Sequence, residues 1–195
     1  GLTVTADYYN IEISDVIFTL TPETIHGACM DTGDPAYCDR IHRDSYGSIW
    51  FQQEGYTDVR LQNVGEATAE GIDLNASYLI GLGDAGYLAT DLMGSYLLGL
   101  NLTNPEVDFE CAGYFGFECG QPHSVWRHRL RATWESAFNL NLSLAWRYLG
   151  SVDNDDASPD PDLGDPDQLE IWRINGSDRI PASNWFDVAA SYTMR

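Results

Sequence analysis

The segment from Ser124 to Leu149 alternates strictly between apolar and polar residues, in two runs joined by a short turn. Because successive side chains of an extended strand leave opposite faces of the pleat, this pattern predicts a β-hairpin. In each run the apolar positions include aromatic residues, and the polar positions carry charged or amide side chains. Long strands of this kind are typical of an outer-membrane β-barrel, with lipid outside and a wet lumen inside.

The same alternation recurs in four further stretches, which predict strands over Leu2–Val16, Val59–Ile80, Tyr87–Leu102 and Ala182–Met194. Two short turns are predicted, at Gly83–Gly86 and between the two runs of the hairpin. The remaining connections are long and rich in Gly, Pro or Asp, and they cover residues 17–56, Thr103–Pro122 and Asp153–Arg179. We expect all three to be irregular loops.

The topology depends on the Gly65–Glu66 dipeptide. A turn there would divide Val59–Ile80 into two strands and place the second cysteine-bearing loop on the opposite side from the first. A bulge there would leave one long strand, six strands in total, three long loops on one side and both short turns on the other. Outer-membrane barrels combine long external loops with short periplasmic turns, so we adopt the bulge. The sequence thus predicts an all-β fold, an antiparallel transmembrane β-barrel segment of about six long strands.

Composition and charge exclude several classes of protein. The 195 residues carry a formal net charge of -20, and all ten basic residues are arginine. Such a chain does not predict nucleic-acid binding, which needs clustered basic residues. The chain also lacks an apolar run of the roughly 20 residues that a membrane-spanning helix requires. The G-x-S-x-G, H-E-x-x-H and P-loop patterns are absent, so neither an enzyme nor a cofactor is predicted.

Four cysteines form two close pairs in the sequence, Cys29 with Cys38 and Cys111 with Cys119. Four cysteines allow three connectivities, and we favour local pairing, in which each disulfide closes its own loop. Zinc ligation is the alternative, although neither pair has the short C-x2-4-C spacing of common zinc sites. Disulfides would indicate an oxidising compartment.

The segment 153–170 is strongly acidic and resembles a calcium-binding tract at first sight. Its spacing does not match the EF-hand pattern, so we expect a solvated external loop, with a weak surface cation site as the alternative. The four histidines are scattered, and no metal site is predicted with them. His26 and His42, which lie near the first cysteine pair, are the nearest to an exception.

Several motifs, taken in order and spacing, resemble the C-terminal barrel portion of TonB-dependent outer-membrane receptors. They are D-Y-Y-N-I-E-I-S-D-V-I (7–17), Q-N-V-G-E-A (62–67), E-G-I-D-L (70–74) and the turn D-A-G-Y (84–87). Other segments resemble a subgroup with disulfide-bearing external loops: C-A-G (111–113), W-R-H-R-L-R (126–131), W-R-Y-L-G-S-V (146–152) and I-P-A-S-N-W-F-D (180–187). The resemblance covers nearly all of the chain outside the acidic loop.

This resemblance implies a barrel of 22 strands that is plugged by an N-terminal domain. In such receptors the plug binds TonB in the periplasm, and energy from the inner membrane drives uptake of iron chelates, vitamins or oligosaccharides. The implied partners are therefore outer-membrane lipid, the receptor's own plug, TonB and a small-molecule or oligosaccharide ligand. We expect residues 1–195 to be an internal part of such a barrel in the outer membrane of a Gram-negative bacterium, with the plug and the terminal strands outside this chain.

Two groups of residues are candidates for function. The first is a set of charged residues that we expect to face the lumen: Arg127, Arg129, Arg131, Arg147, Asp73, Asp91 and Asp187. These arginines could guide an anionic substrate or dock the plug, but we favour cross-strand pairing with Asp73, Asp91 and Glu135. The second group contains loop aromatics that could contact a ligand: Trp50, Phe51, Tyr114, Phe115, Phe117 and Trp172. Aromatics near strand ends, including Tyr8 and Tyr9, are predicted to form an interfacial belt.

Two other classes of protein remain open at this point. A complete eight-stranded barrel with a structural or adhesin role would need a real turn at Gly65–Glu66. A secreted β-sandwich binding module would share the alternation, but it would remain monomeric without detergent.

Overall fold

The structure is a computed structural model that describes residues 1–50, 54–103, 108–161 and 163–193. Twelve strands are present in the described part of the chain: β1 Leu2–Thr19, β2 Ile41–His42, β3 Tyr56–Thr57, β4 Leu61–Gly81, β5 Tyr87–Thr103, β6 Asp108–Glu110, β7 Tyr114–Phe115, β8 Trp126–Glu135, β9 Leu140–Leu149, β10 Val152–Asn154, β11 Arg179–Ile180 and β12 Ser183–Tyr192. Three α-helices accompany them: α1 Pro22–Thr32, α2 Pro35–Cys38 and α3 Pro166–Ile174. Short 3-10 helices occupy Gly83–Ala85 and Asp155–Ala157.

Six long strands form the main sheet in the order β1-β4-β5-β8-β9-β12, and the short β6 pairs with β5. Each long strand thus lies beside the next long strand in the chain. The pairs β5 with β8, β8 with β9 and β9 with β12 are all antiparallel. This confirms the predicted antiparallel arrangement of six long strands.

Gly65 lies inside β4, which runs without interruption from Leu61 to Gly81. This confirms the single strand and removes the turn that an eight-stranded barrel would need. A Cβ atom at Gly65 would overlap the ring of Phe18, so the absence of a side chain makes room for that ring. Gly65 itself does not have a left-handed backbone conformation. Within β1, Asp15 does, with a φ of 59°.

The chain divides into two compact units, and β1, β4 and β5 each contribute a segment to both. The first unit comprises Gly1–Glu12, Thr68–Asn101 and Phe109–Arg195, and the second comprises Ile13–Ala67 and Leu102–Asp108. In the first unit, buried apolar residues are found mainly outside the long strands, at Phe109, Cys111, Cys119, Val152 and Leu163. No helix among the described residues is long and apolar enough to cross a membrane.

In the second unit, the predicted irregular segment 17–56 contains regular structure. Helix α1 begins after Thr21, whose hydroxyl accepts a hydrogen bond from the backbone N–H of Thr24 at 3.3 Å, and it ends at Gly33 with a φ of 66°. Pro22 occupies the first helical position, where its missing N–H costs nothing. The expectation of a structureless loop is wrong here, because the cap, the proline and the glycine are the usual signals of a helix.

Candidate functional site

The registers of the sheet place the charged residues of the hairpin on one face. Arg127, Arg129 and Arg131 lie opposite Ser95, Met93 and Asp91 of β5. On the other side, Arg129 lies opposite Arg147 of β9, and Ala145 of β9 lies between Arg131 and Asp187. Asp73 of β4 lines the same cavities as Arg127. We call this side of the sheet the polar face, and all seven charged residues predicted from the alternation share it.

Cross-strand ion pairing on the polar face differs from the expectation. Arg147 donates two hydrogen bonds to Asp187, with Nε 3.0 Å from Oδ2 and a terminal nitrogen 3.3 Å from Oδ1. Its guanidinium carbon also lies 6.0 Å from the ring centroid of Trp185. Within the described residues, Arg127, Arg129 and Arg131 make no ion pair, although Asp91 lies directly opposite Arg131. The predicted ion pairs with Asp73, Asp91 and Glu135 are therefore wrong. Strand register determines the face on which a side chain lies, but the conformation of the side chain determines whether its charged group contacts a neighbour.

Three cavities lie along the polar face in the first unit. The loop-end cavity, of about 530 Å³, is lined by Pro122, His123 and Ser124 together with Asp73, Ser95 and Arg127. The middle cavity, of about 440 Å³, shares those last three residues and adds Asn75, Met93, Arg129 and Arg147. The turn-end cavity, of about 420 Å³, shares Asn75, Met93 and Arg129 and adds Thr3, Asp91 and Arg131. Neighbouring cavities thus share part of their lining.

The opposite side, the apolar face, carries leucines and aromatics of neighbouring strands in cross-strand pairs. Leu92 lies opposite Leu130, Leu144 opposite Val188, and Trp146 opposite Phe186. Large apolar side chains stay exposed there, and Val188 is 77% exposed. An exposed apolar sheet face opposite a polar, cavity-bearing face is the arrangement of a strand segment between lipid and a wet lumen.

An aromatic cluster surrounds His128 on the apolar face. The indole N–H of Trp126 donates a hydrogen bond to His128 Nδ1 at 2.9 Å, and Tyr148 stacks on the imidazole with a centroid distance of 5.3 Å. The Trp146 ring meets it edge-on at 4.5 Å. Trp126, Trp146 and Tyr148 therefore form one cluster with His128 on this face. Tyr9 is not part of it, because it lines the loop-end cavity of the polar face.

The second cysteine pair is bonded and closes a tight loop. Cys111 and Cys119 form a disulfide, and Gly116 pairs with Gly120 across the loop. Local pairing is also found at Cys29–Cys38 in the second unit. Both pairings agree with the local choice made from the sequence, so all four cysteines are accounted for.

A carboxylate from the acidic segment anchors this disulfide loop. Asp155 is only 2% exposed, and its Oδ2 accepts hydrogen bonds from the backbone N–H groups of Glu118 at 2.9 Å and Cys119 at 3.1 Å. Its carboxyl fills the space that a Cβ at Gly116 would need. The expectation that the acidic segment is a solvated loop is therefore wrong for Asp155. Nothing in the sequence distinguishes this aspartate from the other acidic residues of the segment.

Three short strands join the two loops further. β10 pairs in parallel with β7 and antiparallel with β11. Arg179 of β11 also forms a salt bridge with Asp153 of β10 at 3.4 Å. We call these three strands, the disulfide loop Cys111–Cys119 and the segment from Asp155 to α3 the loop cap.

The candidate ligand-contact aromatics have different surroundings. Phe117 is 95% exposed at the tip of the disulfide loop, whereas Tyr114 and Phe115 are half-buried in β7. The indole N–H of Trp172 donates to Asp156 Oδ2 at 2.6 Å. Burial raises the pKa of the Asp156 carboxyl, against the lowering effect of that hydrogen bond, and the charges of Asp155 and Asp165 raise it further. Phe117 is thus the aromatic that the loop cap presents most openly.

The second unit holds the remaining candidates. Trp50 is exposed, while Phe51 lies outside the described residues. His26 bonds the Thr57 hydroxyl at 2.8 Å, and His42 stacks on Tyr56. The described residues contain no group of three or more His, Cys, Asp or Glu side chains arranged to hold a metal ion.

The second unit also contains a charged pair at the start of β4. The hydrogen bond that the Arg60 guanidinium donates to Asp58 lowers the pKa of the Asp58 carboxyl.

Tyr9 and His123 were not predicted from the sequence as residues that line these cavities. The alternation does place Met93 on the side of Asp91 and Ser95, opposite to Leu92. His123 lies in an irregular segment and has no periodic signal.

The chain was compared with known protein families, curated proteins and solved structures. A family model described as TonB dependent receptor-like, beta-barrel matches residues 1–195. No curated protein and no solved structure matched. The family match covers the whole chain and agrees with the two-faced antiparallel sheet. The chain belongs to the β-barrel family of TonB-dependent receptors, which are transport receptors of the outer membrane of Gram-negative bacteria.

Proposed function

We propose that this chain is part of the barrel of an outer-membrane receptor that uses TonB-transmitted energy to take up a scarce nutrient. The nutrient would be an iron chelate, a vitamin or an oligosaccharide. Residues 1–195 would contribute six strands to the barrel wall, with the apolar face toward lipid and the polar face toward the lumen and the plug domain. The observation that carries this proposal is that one sheet has an exposed apolar face on one side and a charged face with cavities on the other.

The loop cap would lie on the external side and receive the nutrient. Phe117 supports this role because a disulfide and the buried Asp155 hold the loop that presents it. An aromatic side chain on a preorganised loop contributes contact area while the loop loses little conformational entropy on binding. Trp172 and Trp50 are further contact candidates.

Transport is tested in a Gram-negative host that expresses the full receptor. Uptake of labelled ferric chelates, cobalamin and oligosaccharides is measured with the receptor gene present or deleted, and with TonB present or deleted. We expect one labelled nutrient to enter only when both proteins are present. Equal uptake of every nutrient in all four strains would exclude active transport by this receptor.

The loop is tested with Phe117→Ala, for which Phe138→Ala is a matched control. Phe138 is also an exposed phenylalanine, but it lies in the short turn between β8 and β9. Loss of a hot-spot aromatic lowers affinity by about tenfold or more, so Phe117→Ala should weaken nutrient binding to that extent while Phe138→Ala should not. Equal affinities of the two variants for the nutrient would contradict the proposal that Phe117 contacts it.

A further inference from the structure

We infer that the apolar face of the sheet carries a docking site for a phosphate group of an outer-leaflet lipid. The site is a row of three polar side chains, His128 of β8, Tyr148 of β9 and Asn184 of β12, which we call the boundary row. It lies at the loop-cap end of the sheet, where β9 leads into β10. This inference rests on the proposed function, because it takes the apolar face as the lipid side and the loop cap as the external side.

Strand register places the boundary row on one level across three neighbouring strands. Tyr148 lies directly opposite His128 on one side and Asn184 on the other. Neighbouring strands lie about 5 Å apart, so the three side chains span roughly 10 Å. The next two levels toward the short turn are entirely apolar: Leu130, Trp146 and Phe186, then Ala132, Leu144 and Val188. The boundary row is therefore the level at which this face changes from apolar to polar.

Two indole groups already occupy acceptor atoms of the boundary row. Trp126 donates to His128 Nδ1 at 2.9 Å, and Trp146 donates to Asn184 Oδ1 at 2.8 Å. Because an indole N–H can only donate, these bonds assign the imidazole proton to Nε2 and direct the NH2 group of the amide away from the indole. Within the part of the chain that the structure describes, His128 Nε2, the Tyr148 hydroxyl and the Asn184 amide nitrogen make no hydrogen bond. The row therefore offers mainly donors.

A row of donors fits a group whose oxygens accept hydrogen bonds, and the phosphate of a lipid headgroup is such a group at the boundary of the apolar band. Unpaired polar groups are costly at a surface that contacts hydrocarbon, because lipid tails offer no acceptor. The boundary row also contains no carboxylate that would repel an anion, although the chain as a whole has a net charge of -20. A lipid phosphate would thus satisfy donors that the protein leaves unpaired.

Ring contacts hold His128 in place before any lipid binds. Its imidazole stacks on Tyr148 with a centroid distance of 5.3 Å, and Trp146 meets it edge-on at 4.5 Å. Gly94 of β5 lies opposite His128, and the Trp126 ring occupies the space that a side chain at Gly94 would need. Preorganised donors lose little conformational freedom on binding. Because β8 and β9 each have a described strand on both sides, these contacts are independent of any strand beyond β12.

The test measures binding of lipid A to the full receptor in detergent by native mass spectrometry. Lipid A is the phosphorylated glycolipid anchor of the outer leaflet, and its enzymatically dephosphorylated form is the control ligand. We expect the wild type to prefer the phosphorylated form by about tenfold or more. Tyr148→Phe removes only a hydroxyl, and it should lower the affinity for the phosphorylated form by about tenfold, as expected for a lost hydrogen bond to a charged group. The affinity for the dephosphorylated form should stay unchanged.

Tyr192→Phe is the matched control, because Tyr192 is an exposed tyrosine at the other end of the same face, opposite Leu140. It should leave the affinity for both lipids unchanged. His128→Phe keeps a ring in the cluster but removes the Nε2 donor, so it should lower the affinity for the phosphorylated form at least as much as Tyr148→Phe. A heat-dependent shift in gel mobility verifies that each variant is folded.

Three results would overturn the inference: equal affinity of the wild type for the two lipids, equal affinity of the wild type and Tyr148→Phe for the phosphorylated lipid, or an equal loss in Tyr148→Phe and Tyr192→Phe. If the receptor is instead a dimer that Tyr148→Phe converts to a monomer, the row is an interface between two copies and the lipid site is excluded. Uptake that depends on TonB without a preference for phosphorylated lipid would refute this inference alone. The lipid preference without uptake that depends on TonB would refute the transport proposal alone.

Discussion

The β8–β9 hairpin and the loop cap belong to the same unit, but different interactions determine their structures. In the hairpin, neighbouring strands determine almost everything, and the apolar side chains point away from any protein core. In the loop cap, apolar residues such as Val152 and Cys111 are fully buried, and a buried aspartate bonds backbone groups 36 and 37 residues away. The hairpin needs lipid to cover it, whereas the loop cap has its own small core. We therefore expect a substitution in one region to leave the stability of the other unchanged.

The largest difference is expected from adding charge to the two faces of β12. Val188 and Ala189 are neighbours, but Val188 lies opposite Leu144 on the apolar face and Ala189 opposite Ser143 on the polar face. An arginine on the lipid side near the bilayer midplane costs about 2 to 4 kcal/mol. Val188→Arg should therefore lower the free energy of unfolding in lipid vesicles by that amount, and Ala189→Arg should change it little. Equal losses in denaturant titrations would contradict the assignment of the two faces.

The next largest effect is expected in the loop cap from Asp155→Ala. The substitution leaves the backbone N–H groups of Glu118 and Cys119 without their shared acceptor, and an unsatisfied buried group costs about 1 to 3 kcal/mol. Hydrogen exchange at residues 114–120 should become faster by the corresponding factor, while exchange in β8 and β9 stays as in the wild type. Faster exchange in the hairpin as well would show that the two regions are not independent. Asp167→Asn, a change to an exposed acid of α3, is the control.

The smallest effect is a pH dependence of the loop cap. The pKa of Asp156 is raised above its ordinary value of 3.8, mainly by burial. Between that value and the raised one, the folded loop holds a proton that the unfolded chain has released, so stability increases as the pH falls through this window. Asp156→Asn keeps an acceptor for the Trp172 indole and removes the charge. It should abolish this pH dependence in hydrogen exchange at α3 and slightly stabilise the loop near neutral pH. A pH profile identical to that of the wild type would exclude Asp156 as its source.

The contrast between the regions also explains what the sequence could predict. Alternation from Trp126 to Leu149 was enough to assign the faces of the hairpin. Every second residue of a strand lies on the same face, so the apolar positions determine the face of all the others. It could not predict that Asp187, and not Asp73 or Asp91, would bond an arginine, since that depends on side-chain conformation across a strand pair. Helix α1 was predictable in principle from Thr21, Pro22 and Gly33, but the cysteines and prolines of the same segment are equally typical of a loop. The burial of Asp155 was not predictable, because its partners are distant in sequence.

The bond from Asp155 to the disulfide loop has a consequence for exchanging loops between receptors. If the disulfide loop Cys111–Cys119 were moved into another receptor without the acidic segment, the backbone N–H groups of Glu118 and Cys119 would lose their acceptor. If the acidic segment were moved without the disulfide loop, the buried carboxylate of Asp155 would lose its two donors. The two loops should therefore be transferred together when binding specificity is moved from one barrel to another. In evolution, they would be expected to change as one recombining block.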